Sequence, residues 1–145
     1  SPLDVLSNRN NLARALFSQG KPAEAEVEFR AVHTGYERLL GADHPHTLSC
    51  RQNLGMTLGN LGRHAEAEME LRGALAAFER RGGPDHADAL IACFHLASEL
   101  EAQERREEAL AFARRAREGL EAAGARNEFW RGAKALQERL EAAGQ

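Results

Sequence analysis

Apolar side chains recur at helical spacing along most of the chain. Leu54, Leu58 and Leu61 are separated by 4 and 3 residues, which places them on one face of a helix. A second apolar stripe follows and is formed by Ala67, Leu71, Ala74, Leu75 and Phe78. This pattern predicts two amphipathic helices that follow each other closely in the chain.

Proline and glycine mark the ends of these two helices. Pro45 suits a first helical turn, where its missing N–H costs nothing, and Asp43 just before it is a candidate capping residue. Gly62 is placed to end the first helix in a left-handed turn. The second helix is expected over about 65–81, because the Gly-Gly-Pro run at 82–84 then breaks it.

The pair of helices is repeated at a constant offset of 42 residues, without gaps. The offset carries Arg9-Asn10-Asn11-Leu12 onto Arg51-Gln52-Asn53-Leu54 and Gly20 onto Gly62, and a third copy follows at the same step. Such self-similarity is typical of stacked repeat proteins. The sequence therefore predicts an all-α fold in which three helical hairpins form a single domain over 1–145. The expected repeats are 2–42, 43–84 and 85–126.

The end of the chain departs from the repeat. Phe129, Ala133, Leu136 and Leu140 share one helical face, so 128–143 is expected to be a helix that covers the last hairpin. Phe129 and Trp130 are interpreted as part of this hydrophobic cover, in preference to a ligand pocket. The first repeat begins near Pro2 without such a cap, so we expect further repeats or another domain before it in the parent protein.

Small residues occupy equivalent places where the two helices of each hairpin must approach closely. They are Ala25, Ala67 and Ala109 on the second helices, with Ala13, Gly55 and Ala97 on the first helices.

In two repeats a Glu precedes an Arg by four residues, as Glu26–Arg30 and Glu68–Arg72, the favoured order for a helical ion pair. These arginines are therefore interpreted as structural.

The charge, hydropathy and cysteine count exclude several classes of function. A net charge of −3 gives no basic surface for nucleic acid, and no apolar run is long enough to cross a membrane. Cys50 and Cys93 are too few for a disulfide framework, so a cytoplasmic location is expected. No motif indicates a cofactor.

Metal binding and catalysis are also not favoured by the sequence. His44 and His86 are repeat equivalents in successive linkers, so they and His46 are interpreted as capping or packing residues, not metal ligands. Cys93 and His95 lie two residues apart on a helix and point to different faces, which excludes a nucleophile–base pair. The chain is predicted not to be an enzyme.

The repeated residues resemble tetratricopeptide repeats (TPRs) of the kinesin-light-chain type, which have about 42 residues per repeat. The resemblance is carried by Asn53-Leu54, Gly62-Arg63, Glu66-Ala67-Glu68 and Asp43-His44-Pro45 with Thr47-Leu48. It implies a right-handed superhelical solenoid whose first helices line a concave groove for an extended peptide. It also suggests a bacterial protein in which this domain belongs to a larger regulatory chain.

The resemblance implies which residues line the peptide-binding groove. Asparagine nine residues before the turn glycine grips a peptide backbone in this family, and Asn11 and Asn53 match that place, while His95 replaces it in the third repeat. The candidate groove residues are Asn10, Asn11, Arg14, Gln52, Asn53, Met56, Asn60, Phe94, His95 and Ser98, with Ser7 and Ser49 beside them.

Two alternatives for these residues remain open at this point. The amides of Asn11 and Asn53 could grip a ligand, or they could form hydrogen bonds between adjacent repeats. The family's carboxylate clamp matches only at Asn53, so a clamp for acidic C-termini is not expected. Arg14 alone could still meet a ligand carboxylate.

The function predicted from the sequence is a scaffold that binds a protein or peptide partner in the groove. The alternative is a homo-oligomer or spacer that stacks through the uncapped first repeat. Binding of nucleic acid or of a membrane is not predicted.

Overall fold

Seven α-helices form the protein, and the computed structural model describes all residues from 1 to 145. The helices are α1 (Pro2–Ser18), α2 (Pro22–Leu40), α3 (Pro45–Asn60), α4 (His64–Gly82), α5 (Ala87–Ala102), α6 (Arg106–Ala122) and α7 (Glu128–Ala143). They group into two compact units, unit 1 (Ser1–Ala77) and unit 2 (Phe78–Gln145). The all-α fold predicted from the repeat is confirmed, whereas the single domain and its repeat bounds stay predictions.

Histidine, not aspartate, caps the first helix of the second and third repeats. His44 precedes α3, and its Nδ1 accepts the backbone N–H of His46 at 3.0 Å; His86 does the same for Asp88 before α5 at 3.2 Å. The prediction that Asp43 caps α3 is wrong, because Pro45 is the first helical residue and the cap is therefore the residue next to it. The interpretation of His44 and His86 as capping residues is confirmed.

The turn inside each hairpin passes through one residue with positive φ. Gly62 has φ 79° in the second repeat, where the N–H of Arg63 donates to the carbonyl of Leu58 at 2.9 Å. Glycine adopts this left-handed conformation without a steric penalty. At the equivalent place in the third repeat Glu104 has φ 59°, and it is the one non-glycine residue of the chain with positive φ.

Replacing Glu104 by glycine is expected to stabilise the protein. A left-handed conformation costs an L-residue about 1–2 kcal/mol, and glycine avoids this cost. Part of the gain is lost again, because glycine has more conformational freedom in the unfolded chain. We therefore expect the free energy of unfolding to rise by about 0.5–1 kcal/mol in urea titrations. Glu118→Gly, at an exposed site inside α6, should instead lose about 1 kcal/mol. A loss of stability in both variants would contradict this account of the turn.

Unit 1 is held together by a core between α1, α2, α3 and the start of α4. Its buried members are Ala13, Ala25, Phe29, Val32, Tyr36, Cys50, Leu54, Leu58 and Ala67. A Cβ added at Gly55 would lie 2.8 Å from Cγ of Leu71, so only glycine allows α3 and α4 to approach this closely. The predicted close approach at the small residues is confirmed.

The core of unit 2 is formed mainly by apolar side chains of α5, α6 and α7. Ala97 and Ala109 are fully buried at the equivalent of the close approach, as predicted. Ala133, Leu136 and Leu140 of α7 are also buried, and α7 packs against α6 and α5. The apolar face predicted for the last helix therefore faces the hairpin formed by α5 and α6.

The predicted helical ion pairs are present in unit 1. Arg30 Nε lies 2.8 Å from a carboxylate oxygen of Glu26, and Arg72 Nε lies 2.7 Å from one of Glu68. These pairs confirm the structural interpretation of both arginines.

None of the helices is both long and apolar enough to cross a membrane.

Candidate peptide-binding groove

Seven of the ten candidate groove residues lie on the first helices of unit 1. Asn10, Asn11 and Arg14 project from α1, and the other four, Gln52, Asn53, Met56 and Asn60, project from α3. Within each helix the members are separated by three or four residues or are adjacent, so they share one side of the helix. The remaining three, Phe94, His95 and Ser98, lie on α5 in unit 2.

Three candidate residues from α1 and α3 line one pocket in unit 1. Arg14, Asn53 and Met56 surround a cavity of about 110 Å³. Phe17, Ser18 and Phe29 complete its wall. The pocket thus combines an apolar lining with one guanidinium and one amide, which is a usual composition for a binding site.

The three additional lining residues were not predicted from the sequence. Phe17 lies three residues after Arg14 on α1, so helical spacing could have suggested it. Phe29 comes from α2 and is buried in the core, and nothing in the sequence indicates that it also lines the pocket.

Arg14 differs from its neighbouring arginines because it has no acidic partner. Arg9 Nε binds Glu28 at 2.8 Å, and its repeat equivalent Arg51 binds Glu70 at 3.0 Å. Both pairs join the two helices of a hairpin and are structural. The exposed guanidinium of Arg14 forms no ion pair, so it is available to a carboxylate from outside the protein.

The candidate amides are also without partners inside the protein. Asn11 is exposed and Asn53 is half-buried, and neither side chain forms a hydrogen bond to another repeat. Asn10 Oδ1 and the equivalent Gln52 Oε1 are buried and accept no hydrogen bond. A buried amide oxygen that accepts no hydrogen bond is costly, and its N–H₂ group can still turn toward a ligand.

The candidates of unit 2 form an aromatic cluster with the last helix. The ring centroid of Phe129 lies 6.3 Å from that of Phe94 and 5.9 Å from that of His95, with edge-on geometry in both cases. Ser98 Oγ donates to the carbonyl of Phe94 at 3.3 Å. Burial lowers the pKa of His95 to about 4, so this imidazole is neutral at physiological pH.

The thiols of both cysteines are buried and protonated. Burial raises the pKa of Cys50 to about 12 and that of Cys93 to about 11, so neither forms a thiolate near neutral pH. The Cys50 Sγ–H donates to the carbonyl of Phe29 at 3.4 Å. Cysteine pKa values this high are those of packing residues, since a reactive cysteine needs a lowered pKa.

This arrangement of consecutive helical hairpins is that of a helical repeat protein. The family model of the tetratricopeptide repeat matches residues 4–68 and 52–122, and the chain therefore belongs to the tetratricopeptide repeat family. Repeats of this family generally mediate protein–protein interactions. No curated protein matches the chain in sequence.

Solved structures of kinesin-light-chain-like proteins share this fold. A Podosopora anserina protein assigned as a kinesin light chain, with nearly identical TPR-like repeats, is 19% identical, with a TM-score of 0.86 over 99% of this chain and 68% of its own. A variant of that protein has a TM-score of 0.85 at 19% identity, over 96% of this chain and 66% of its own. BtubC (BKLC) from P. vanneervenii is 17% identical, with a TM-score of 0.75 over 99% of this chain and 66% of its own. The predicted kinesin-light-chain-like fold is confirmed by these similarities.

Proposed function

We propose that the protein is a non-enzymatic scaffold that binds an extended segment of a partner protein across α1 and α3 of unit 1. The observation that carries this proposal is the pocket lined by Arg14, Asn53 and Met56, which are contributed by two successive first helices. Its guanidinium and amide groups are without partners in the protein, so their hydrogen-bonding capacity is left for a ligand.

The chemistry of the pocket indicates what the bound segment should carry. A cavity of about 110 Å³ between Phe17, Phe29 and Met56 has room for one aliphatic side chain. Arg14 at its edge favours a carboxylate next to that side chain. Asn11 and Asn53 can each donate to a backbone carbonyl and accept a backbone N–H, which would hold the segment independently of its sequence.

A cytoplasmic location belongs to the same proposal. It is supported by the two cysteines, which are both free and buried. Unpaired thiols are the rule in reducing compartments.

The double variant Asn11→Ala/Asn53→Ala is expected to lose partner binding by roughly tenfold or more, because each lost amide hydrogen bond contributes about 0.5–1.5 kcal/mol. A quantitative pull-down from a lysate of the source organism measures this loss, with circular dichroism to show that the variant is folded. Gln19→Ala/Gln145→Ala removes two exposed amides outside the pocket and serves as the control. Equal retention of the same proteins by wild type and double variant would contradict the proposal.

Self-association is a second candidate function, because α1 and α2 expose several large apolar side chains. They are Leu3, Val5, Leu12, Val27 and Leu39. Stacking of two first repeats would cover part of this surface. Light scattering on a dilution series decides the matter for this chain, and a monomer throughout rejects it.

A further inference from the structure

Two histidines cap the first helices of the second and third repeats through a ring nitrogen. His44 Nδ1 accepts the N–H of His46 at 3.0 Å, and His86 Nδ1 accepts the N–H of Asp88 at 3.2 Å. A ring nitrogen can accept a hydrogen bond only while it carries no proton. Both caps therefore require neutral imidazoles, and histidine is the side chain whose charge ordinarily changes between about pH 8 and about pH 5.

The side-chain cap of α3 is a single hydrogen bond. Pro45, the first residue of α3, has no N–H, and the N–H of Leu48 donates to the carbonyl of His44 at 3.0 Å. The N–H of His46 lies between them in the chain and has the His44 ring as its acceptor. Protonation of that ring leaves the first N–H of the helix without a partner in the protein.

No neighbouring group compensates a positive charge on His44. The ring centroid of His46 is 5.0 Å away, so a second cation faces the first when both rings are protonated. From α2, the ring of Tyr36 packs on His46 at 5.8 Å, and burial raises the pKa of Tyr36, so its phenol stays neutral. Asp43 precedes His44 in the linker, yet the His44 ring forms no ion pair. A cation at a helix N-terminus also opposes the helix dipole.

The equivalent place in the third repeat offers a compensating charge. Asp88 stands there at the position of His46, given the 42-residue offset. Its carboxylate lies 3.7 Å from His86 Nδ1 and can pair with the protonated ring. The other charged groups beside this linker are Arg115 of α6, which donates to a linker carbonyl, and Glu79 of α4, and they pair with each other at 3.4 Å. Protonation of His86 therefore replaces its cap by an ion pair.

We propose that the linker before α3 is a pH-sensitive switch, in which protonation of His44 opens the first turn of α3. Opening is coupled to proton uptake, so the turn is closed at the higher pH and opens as the pH falls. The linker before α5 stays closed because of Asp88. The change is confined to residues 44–46, since Thr47 is fully buried and its Oγ1 donates to the carbonyl of Gly41 at 2.8 Å, a bond that does not titrate.

Hydrogen exchange of single amides measures this opening. The protection factor, which corrects for the intrinsic effect of pH on exchange, is determined by NMR at about pH 7.5 and about pH 5.5. That of the His46 N–H should fall roughly fivefold on acidification, the typical effect of losing an N-cap. That of the Asp88 N–H should change less than about twofold. The N–H of Leu54, in the buried middle of α3, reports global unfolding and separates it from the local change.

Two substitutions exchange the behaviour of the two linkers. His44→Asp supplies a cap that stays ionised at about pH 5.5, so the His46 N–H should be equally protected at both pH values. Asp88→His reproduces the second repeat in the third, and the N–H at position 88 should then lose protection roughly fivefold on acidification. His86→Asp is the matched control, because it changes the other cap and should leave the pH dependence of the His46 N–H as in wild type.

Three results would overturn the switch. They are constant protection of the His46 N–H across this pH range, a loss of protection that persists in the His44→Asp protein, and equal losses at His46 and Asp88 in the wild type. An N–H at position 88 that stays protected in the Asp88→His protein would overturn the role assigned to Asp88. None of these measurements requires a bound partner, so their outcome is independent of the proposed groove.

Discussion

Replacing Phe29 by alanine is expected to lower the free energy of unfolding by about 3–5 kcal/mol. The ring is 1% exposed and lies in the core cluster with Val32 of its own helix and Cys50, Leu54 and Leu58 of α3. Its removal loses the transfer free energy of the ring and leaves a cavity that rigid neighbouring helices cannot close. Equilibrium unfolding in urea measures the loss.

Val27→Ala provides a matched control for this experiment. Val27 lies two residues away on the same helix and is 65% exposed, so its truncation should change the free energy of unfolding by less than about 0.5 kcal/mol. Similar losses at both positions would show that burial in this cluster is not what stabilises unit 1. Because Phe29 also lines the pocket, partner binding should weaken in the folded fraction of the Phe29→Ala protein.

The fold could be predicted from the sequence because each helix position occurs in more than one repeat. Leu54 alone is compatible with many structures, but Leu12, Leu54 and Leu96 at one offset define a helix position. The same logic identified the small residues at the helix contact, which include Gly55 and Ala67. The short distance between the backbones of the two helices permits only small side chains at these positions. Small residues at equivalent positions therefore indicate where the helices of a hairpin approach each other.

Local chemistry was harder to predict where two residues could serve the same purpose. Asp43 and His44 are both able to accept a backbone N–H, and aspartate is the more usual capping residue. The position of Pro45 decides in favour of His44, because the cap must immediately precede the first helical residue. Glu104 aligns with Gly62, yet its positive φ is evident only in the structure.

The partners of the arginines near the candidate site could be predicted from the sequence only in part. Ion pairs within one helix, such as Glu26–Arg30, follow from sequence spacing, whereas Arg9–Glu28 and Arg51–Glu70 join separate helices. Only the structure distinguishes these occupied arginines from Arg14, which has no acidic partner. The wall contributed by Phe29 likewise depends on how α2 packs between α1 and α3, which is a tertiary property.

His95 should make the stability of the protein fall as the pH is lowered from about 6.5 to about 4. Burial depresses the pKa of His95 to about 4 in the folded protein, while an unfolded histidine has a pKa near 6.5. The unfolded state therefore binds more protons between these pH values, and the free energy of unfolding rises with pH across this window. This increase in the free energy of unfolding is complete above about pH 6.5. It amounts to about 2–3 kcal/mol, allowing for partial access of water to the ring.

The variant His95→Phe isolates this contribution from the titration of carboxylates. Phenylalanine suits the apolar surroundings of Phe94 and Phe129, so the variant should match wild type at pH 7. At pH 5 it should unfold at higher urea concentration than wild type, because it has no imidazole that gains a proton on unfolding. A constant difference between His95→Phe and wild type from pH 7 to pH 5 would mean that His95 is not buried as a neutral imidazole.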